Sequence, residues 1–162
     1  MELSKITKQD FEQFWTTFKA VAEAQETYSF DPDISYADAF ELWCILPQVT
    51  CVSKENRIIS GLYYLKPNAA GPGSHVCNCG YMVAPEYQGR GVAKILCKHS
   101  QQMAIELGYT AMQFNAVVST NEVAVHLWKS LGYSIIGTIP NGYRHKKLGF
   151  VDSYIMYKQL IT

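Results

Sequence analysis

The sequence lacks an excess of charge of either sign. Lysine and arginine together number 14, aspartate and glutamate together also number 14, and the formal net charge is zero. Nucleic acids and anionic membranes attract proteins mainly through a surplus of basic residues. One short basic run, residues 143–147, is typical of a solvated loop. We therefore expect neither nucleic acid nor a membrane as a partner.

Long apolar segments and a regular set of cysteines are also missing. No stretch approaches the roughly 18 continuous apolar residues of a membrane-spanning helix. The five cysteines are odd in number and irregularly spaced, which favours reduced thiols over disulfides. Cys77 and Cys79 would share one face of a strand, but no further ligands accompany them at suitable spacing, so we predict no metal site. These absences favour a cytoplasmic protein.

The apolar pattern predicts one mixed α/β domain over residues 1–162. Apolar residues make up 48% of the chain, and no linker or repeat divides it. Thr7-x-x-Asp10 and Ser119-x-x-Glu122 indicate the starts of two helices. The strands are predicted at residues 3–7, 49–54, 57–65, 75–83, 111–118, 133–139 and 151–158, with a loop at 140–150. Antiparallel hairpins come first and crossover helices later.

Residues 81–93 carry the strongest functional signal. An apolar strand is followed by a short loop, and Gly89, Gly91 and Ala93 then alternate with larger residues at the start of a helix. The first turn of a helix has unpaired N–H groups and a partial positive charge, and small residues let an anion approach them. The Walker and dinucleotide-binding motifs are absent. The segment predicts a pyrophosphate seat, to which Arg90 adds charge.

Two motifs resemble the GNAT superfamily of N-acetyltransferases. Gln88-x-x-Gly91-x-Ala93 resembles the Gln/Arg-x-x-Gly-x-Gly/Ala signature that binds the pyrophosphate of acetyl-coenzyme A (acetyl-CoA). Residues 121–133 resemble the family's later helix, Asn-x-x-Ala-x-x-Leu-Tyr-x-x-x-Gly-Phe. The resemblance implies an α/β fold with a central mixed, mostly antiparallel sheet flanked by helices. In that fold the fourth and fifth strands splay apart to admit the cosubstrate, acetyl-CoA.

The resemblance also implies residues that contact the cosubstrate. The backbones of Met82 and Val83 would pair with its pantetheine arm. Asn121 would contact the same arm, or would alternatively only favour the helix start. Trp128 stands where the family often has tyrosine, so we expect it to pack beside the thioester or within the core. The pyrophosphate would be surrounded by Gln88, Gly89, Arg90, Gly91, Val92, Ala93 and Lys94.

For catalysis, the family supplies a backbone N–H to the developing oxyanion, and the resemblance points to that of Val83. Because Trp128 cannot act as an acid, the leaving sulfur would depart as a thiolate, whose ordinary pKa of about 8.5 makes it a fair leaving group. Tyr143 or Tyr154 could substitute as the acid.

The candidate base is Glu26, in the loop between the first two helices. Its alternatives are His75, His145 and a relay through water.

Further segments look like a subgroup that includes the fungal acetyltransferases of proline analogues. They are residues 26–33, 114–121, 137–140 and 150–152. This resemblance implies a small amine or imino acid as acceptor. Asn115 would lie at the splay and hold the acceptor carboxylate or the thioester carbonyl, and Tyr28 and Asp152 are further pocket candidates.

The sequence therefore predicts an acetyl-CoA-dependent N-acetyltransferase that acts on a small-molecule amine. Two alternatives stay open at this point. One is acetylation of a protein N-terminus or lysine, and the other is a non-catalytic module that senses acyl-CoA. A homodimer is possible, because dimers are common in the superfamily, but no apolar stripe in the sequence requires one.

Overall fold

Seven strands form one sheet with the spatial order β1-β2-β3-β4-β5-β7-β6. The computed structural model describes all residues from Met1 to Thr162. The strands are β1 Glu2–Lys5, β2 Val49–Glu55, β3 Ile58–Pro67, β4 Val76–Val83, β5 Ala111–Val118, β6 Ser134–His145 and β7 Gly149–Gln159. The helices are α1 Lys8–Ala24, α2 Tyr36–Phe40, α3 Val92–Glu106 and α4 Glu122–Ser130, and a π-helical turn, Glu41–Ile45, continues α2. No helix is both long enough and apolar enough to cross a membrane.

Helices cover both faces of this sheet. Phe11 and Phe18 of α1 pack with Trp43 in one buried cluster, whereas Leu96 of α3 and Trp128 of α4 belong to another cluster on the opposite face. All neighbouring strands are antiparallel except β4 and β5, which are parallel. The mixed, mostly antiparallel α/β fold predicted from the sequence is confirmed.

The parallel strands β4 and β5 separate soon after they begin. Their pairing ends at Asn78 opposite Gln113, although β4 continues to Val83 and β5 to Val118. On its other edge β4 stays paired with β3 as far as Val83. A bulge in β5 between Phe114 and Val117 bends that strand. The result is the splay that the resemblance implies, and we call the space between the separated strands the gap.

Helix α1 begins at the predicted capping box. The Thr7 hydroxyl accepts a hydrogen bond from the N–H of Asp10 (3.1 Å), and the Asp10 carboxylate accepts one from the N–H of Thr7 (3.0 Å). The same carboxylate lies 2.7 Å from the Lys54 ammonium at the end of β2. Asp10 therefore fixes the helix to the sheet as well as capping it.

The start of α4 and the predicted loop at 140–150 differ from the sequence interpretation. Ser119 directly follows β5, and its N–H donates to the carbonyl of Asp152 on β7 (2.9 Å). The cap of α4 is Asn121, whose side-chain oxygen accepts from the N–H of Ala124 (3.3 Å), so the box predicted at Ser119 is wrong. The loop is also wrong, because β6 runs on to His145 and β7 starts at Gly149.

Candidate active site

The loop before α3 and the first turn of that helix present a row of free N–H groups. Gly91 caps the helix in a left-handed conformation (φ 81°) without any side-chain cap. The first helical bond runs from the N–H of Ile95 to the carbonyl of Gly91 (3.1 Å), and the N–H groups of residues 89–94 donate to no acceptor in the chain. A Cβ at Gly89 or Gly91 would meet no atom within 4 Å. We call this row of unpaired N–H groups the amide cradle, and it has the properties of an anion site.

Arg90 points away from the gap. Its guanidinium lies 3.2 Å from a carboxylate oxygen of Glu55, at the end of β2, and 4.8 Å from the ring centre of Tyr87. The end of β2 lies on the β3 side of β4, whereas the gap lies on the β5 side. Lys94, by contrast, is exposed and has no carboxylate partner among the ion pairs.

The backbone of β4 alternates between β3 and the gap. The N–H of Ala84 donates to the carbonyl of Ser60 on β3 (2.9 Å). Because backbone groups of alternate residues point to the same side of an antiparallel strand, those of Met82 also point to β3. Those of Val83 and Tyr81 point into the gap. The geometry therefore favours the predicted role of Val83, gives no support to that of Met82, and adds Tyr81, which the sequence did not reveal.

Trp128 forms an aromatic wall on the α4 side of the gap. Its side chain is 8% exposed, and its ring stacks on Tyr81 with centres 4.9 Å apart and packs against Phe114 at 5.2 Å. Burial raises the pKa of the Tyr81 hydroxyl well above its ordinary value. This arrangement is the packing role expected for Trp128, and Tyr81 is a poor proton donor.

Of the two tyrosines named as substitute acids, only Tyr143 has a hydroxyl with a partner in the chain. Tyr143 donates its hydroxyl to the carbonyl of Tyr28 (3.0 Å), and burial raises its pKa. Tyr154 is on β7, opposite Val117 of β5, and it packs against the buried cluster that contains Trp128.

A chain of neutral amides crosses the sheet where β4 and β5 separate, on the face that α1 covers. The Tyr64 hydroxyl donates to Asn78 (3.1 Å), which donates to the carbonyl of Gln113 (3.0 Å). The Gln113 side chain donates to Asn115 (2.9 Å), and Asn115 donates to Asn68 (2.8 Å). Asn78 is buried, whereas Asn115 is exposed in the bulge of β5. We call these side chains the amide strip.

Aromatic rings continue from the amide strip towards the segment between α1 and α2. Trp43 meets Tyr64 edge to face at 4.9 Å, Phe30 lies 6.3 Å from Trp43, and Tyr28 stacks on Phe30 at 5.5 Å. The Tyr28 hydroxyl makes no hydrogen bond within the chain, and burial raises its pKa. This path brings the predicted pocket residue Tyr28 to the same face as Asn115.

Glu26 and Asp152 have partners of their own. Glu26 lies 2.9 Å from the Lys147 ammonium, in the turn between β6 and β7, and this hydrogen bond lowers its pKa. A lowered pKa makes Glu26 a weaker base. The Asp152 carboxylate accepts from the N–H of Asn141 and thereby holds an irregular part of β6. The structure thus gives no support to catalysis by Glu26 or to acceptor binding by Asp152.

The histidines named as alternative bases are engaged elsewhere. His145 accepts backbone N–H groups of Lys147 and Leu148 within the β6–β7 turn. His75 lies 3.0 Å from the carbonyl of Pro72 and lines a surface depression beside the β3–β4 loop. No contact in the structure places one of these base candidates at the gap, and the relay through water stays a prediction from the sequence.

Residues 9–133 match the acetyltransferase (GNAT) family. The chain belongs to this family. N-acetyltransferase aca1 of Schizosaccharomyces pombe is 29% identical to it over 150 residues, covering 82% of this chain and 72% of that protein. The solved structure of a GCN5-related N-acetyltransferase from Kribbella flavida superposes with a TM-score of 0.92 and 36% identity, covering 98% of this chain and 96% of that one. The solved structure of yncA from Salmonella typhimurium, described with its cofactor acetyl-CoA, superposes with a TM-score of 0.86 at 20% identity. It covers 100% of this chain and 95% of that one, and it shows a shared fold.

As a GNAT acetyltransferase, the protein uses acetyl-CoA as its cosubstrate. Its own residues fit that molecule. The amide cradle directly follows β4, at the wide end of the gap, and can accept a diphosphate. The free carbonyl of Val83 can pair with an amide-containing arm that runs beside β4, as an added strand would. The thioester would then lie beside the N–H of Val83, with the amide strip deeper in the gap.

Proposed function

We propose that this GNAT acetyltransferase transfers the acetyl group to the amine of a small molecule, such as an amino acid, an imino acid or a related amine, in a ternary complex. The observation that carries the proposal is the amide strip beside the gap. It offers hydrogen-bond donors without negative charge, and Asn115 lies exposed at its end. Neutral amide donors suit the carboxylate of a small acceptor.

A free cation beside the strip supports the same acceptor class. Lys66 follows Tyr64 by two residues on β3, and its ammonium lies 5.3 Å from the Tyr64 ring centre. None of the ion pairs in the chain includes Lys66. In the pairing of β3 with β4, Lys66 is directly opposite Asn78. An acceptor carboxylate could therefore be bound by amides and by this ammonium together.

The chemistry assigned to the gap is direct attack. The amine nitrogen attacks the thioester carbon, the carbon–sulfur bond breaks, and the coenzyme leaves as a thiolate. The N–H of Val83 donates to the oxyanion that forms on the carbonyl oxygen. The proton of the amine passes to water. Trp128 packs beside the sulfur and excludes solvent from it.

A protein acceptor is the weaker alternative, because one side of the acceptor face is closed. The β6–β7 hairpin is tied to the segment between α1 and α2 through Tyr143 to Tyr28 (3.0 Å) and Lys147 to Glu26 (2.9 Å). An extended peptide needs an open groove there. A cytoplasmic location and a homodimer stay predictions from the sequence.

The test is a free-thiol release assay with acetyl-CoA and a panel of amino acids, their decarboxylated amines, and peptides. We expect amino or imino acids to be preferred. Asn115→Asp should raise KM for these acceptors about tenfold or more, because a new carboxylate repels theirs, and should affect the decarboxylated amines much less. Preference for peptides, or binding of coenzyme A without transfer to any amine, would contradict the proposal.

A further inference from the structure

We infer that the ring of Tyr64, lying over Gly80, limits the size of the acceptor next to its reacting nitrogen. The inference rests on the proposed function, because it concerns the acceptor side of the same gap. Tyr64 would thus be a specificity-determining residue, and Gly80 the residue that makes room for its ring.

Gly80 has no side chain because the Tyr64 ring takes its place. The two residues are directly opposite each other on β3 and β4. A Cβ built at Gly80 would lie 2.5 Å from Cε1 and 2.9 Å from Cζ of Tyr64. Even alanine would therefore displace the ring. Gly80 does not have a positive φ, so the close approach of the ring is the physical reason for glycine at this position.

The ring lies beside the narrow end of the gap. Gly80 comes two residues after Asn78, where pairing with β5 ends, and immediately before Tyr81, whose backbone groups face the gap. Tyr64 packs with the buried cluster on the α1 face, which is also the face of the amide strip. An acceptor that reaches the thioester from this face must pass the ring.

Three neighbours hold the ring in position. Trp43, which is 1% exposed, meets it edge to face at 4.9 Å. The Tyr64 hydroxyl donates to the buried side chain of Asn78 (3.1 Å), and the Lys66 ammonium lies 5.3 Å from the ring centre. Because a packed and hydrogen-bonded ring does not swing aside readily, it acts as a fixed wall. Compact amines pass this wall, whereas amines with bulky substituents on the adjacent carbon do not.

The experiment compares kcat/KM for alanine and phenylalanine as acceptors in the wild type, Tyr64→Ala and Tyr64→Phe. Tyr64→Ala should raise the phenylalanine-to-alanine ratio about tenfold or more, because it opens the wall. Tyr64→Phe keeps the ring and loses only the hydroxyl, so the ratio should stay within about twofold of the wild type. Tyr64→Leu, which keeps apolar contact with Trp43, serves if the alanine variant does not fold.

The affinity for coenzyme A, measured by calorimetry, separates this inference from the proposed function. A folded Tyr64→Ala or Tyr64→Leu protein that binds coenzyme A like the wild type and keeps the wild-type acceptor ratio would overturn the role of Tyr64. A change in ratio for Tyr64→Phe as large as that for Tyr64→Ala would overturn it too, because the hydroxyl rather than the ring would then decide. Absence of transfer to any amine by the wild type would overturn both.

Discussion

Trp128 shows how one residue changes the expected chemistry of a site. The family often has tyrosine at this position, and a phenol can protonate the departing sulfur, whereas an indole cannot. In the structure the indole is packed between Tyr81 and Phe114. A coenzyme thiol with a pKa of about 8.5 leaves adequately as a thiolate, so loss of the phenol need not prevent transfer. The sequence predicted packing beside the thioester or within the core, because residue type alone excludes an acid.

We therefore expect Trp128→Phe to retain transfer. The smaller ring preserves stacking on Tyr81, so kcat should fall by no more than about fivefold, while the cavity that it leaves lowers the free energy of unfolding by about 1–2 kcal/mol. Steady-state kinetics and thermal unfolding measure these two quantities. Trp128→Tyr is the matched control, since it restores the phenol. A roughly thousandfold fall in kcat for a folded Trp128→Phe protein would mean that the indole takes part in the chemistry.

At the scale of elements, sequence motifs for helix starts predicted the structure well where no tertiary hydrogen bond competed with them. Thr7 and Asp10 form the predicted capping box, because the ion pair of Asp10 with Lys54 leaves the hydrogen bonds between Thr7 and Asp10 intact. Ser119 is not the cap because its backbone is hydrogen-bonded to Asp152 of β7 and the helix is capped two residues later, by Asn121. The end of β6 was missed because most of its residues from 136 onward are exposed, so no alternation of apolar residues marks it.

Asp10 provides a test of how α1 is attached to the sheet. Burial raises its pKa, but hydrogen bonds from Lys54 and Thr7 lower it more, so the net change is downward. A lowered pKa stabilises the fold above the unfolded value of about 3.9 and loses that effect as pH falls through the native value. Asp10→Asn should therefore reduce the free energy of unfolding by about 1–2 kcal/mol at pH 7, and by much less near pH 2.

Denaturant unfolding at both pH values measures the effect. Glu12→Gln is the matched control on the same helix, because Glu12 forms only an exposed pair with Lys8 at 4.0 Å. Its change should stay within about 0.5 kcal/mol. An Asp10→Asn penalty of equal size at neutral and acid pH would show that the carboxylate charge contributes nothing.

At the scale of the whole molecule, function arises where the sheet is interrupted. The gap and the amide cradle meet at one end of β4, and both were expected from motifs close together in the sequence. The amide strip was not, because Asn68, Asn78 and Asn115 come together only through strand order and register. For the same reason the sequence indicated Met82 and not Tyr81. Which of the two has backbone groups that face the gap depends on which of them pairs with β3.

The most direct test of the central claim is the calorimetric affinity of coenzyme A for the wild type, Gly91→Leu and Gly108→Leu. Both glycines have a positive φ, 81° and 90°, and open space where a Cβ would lie, so the backbone strain is similar. Gly91 belongs to the amide cradle, whereas Gly108 lies past the far end of α3. The account predicts that Gly91→Leu weakens binding about thirtyfold or more and that Gly108→Leu changes it by less than about threefold. Unchanged affinity in a folded Gly91→Leu protein would contradict the assignment of the cradle to the diphosphate.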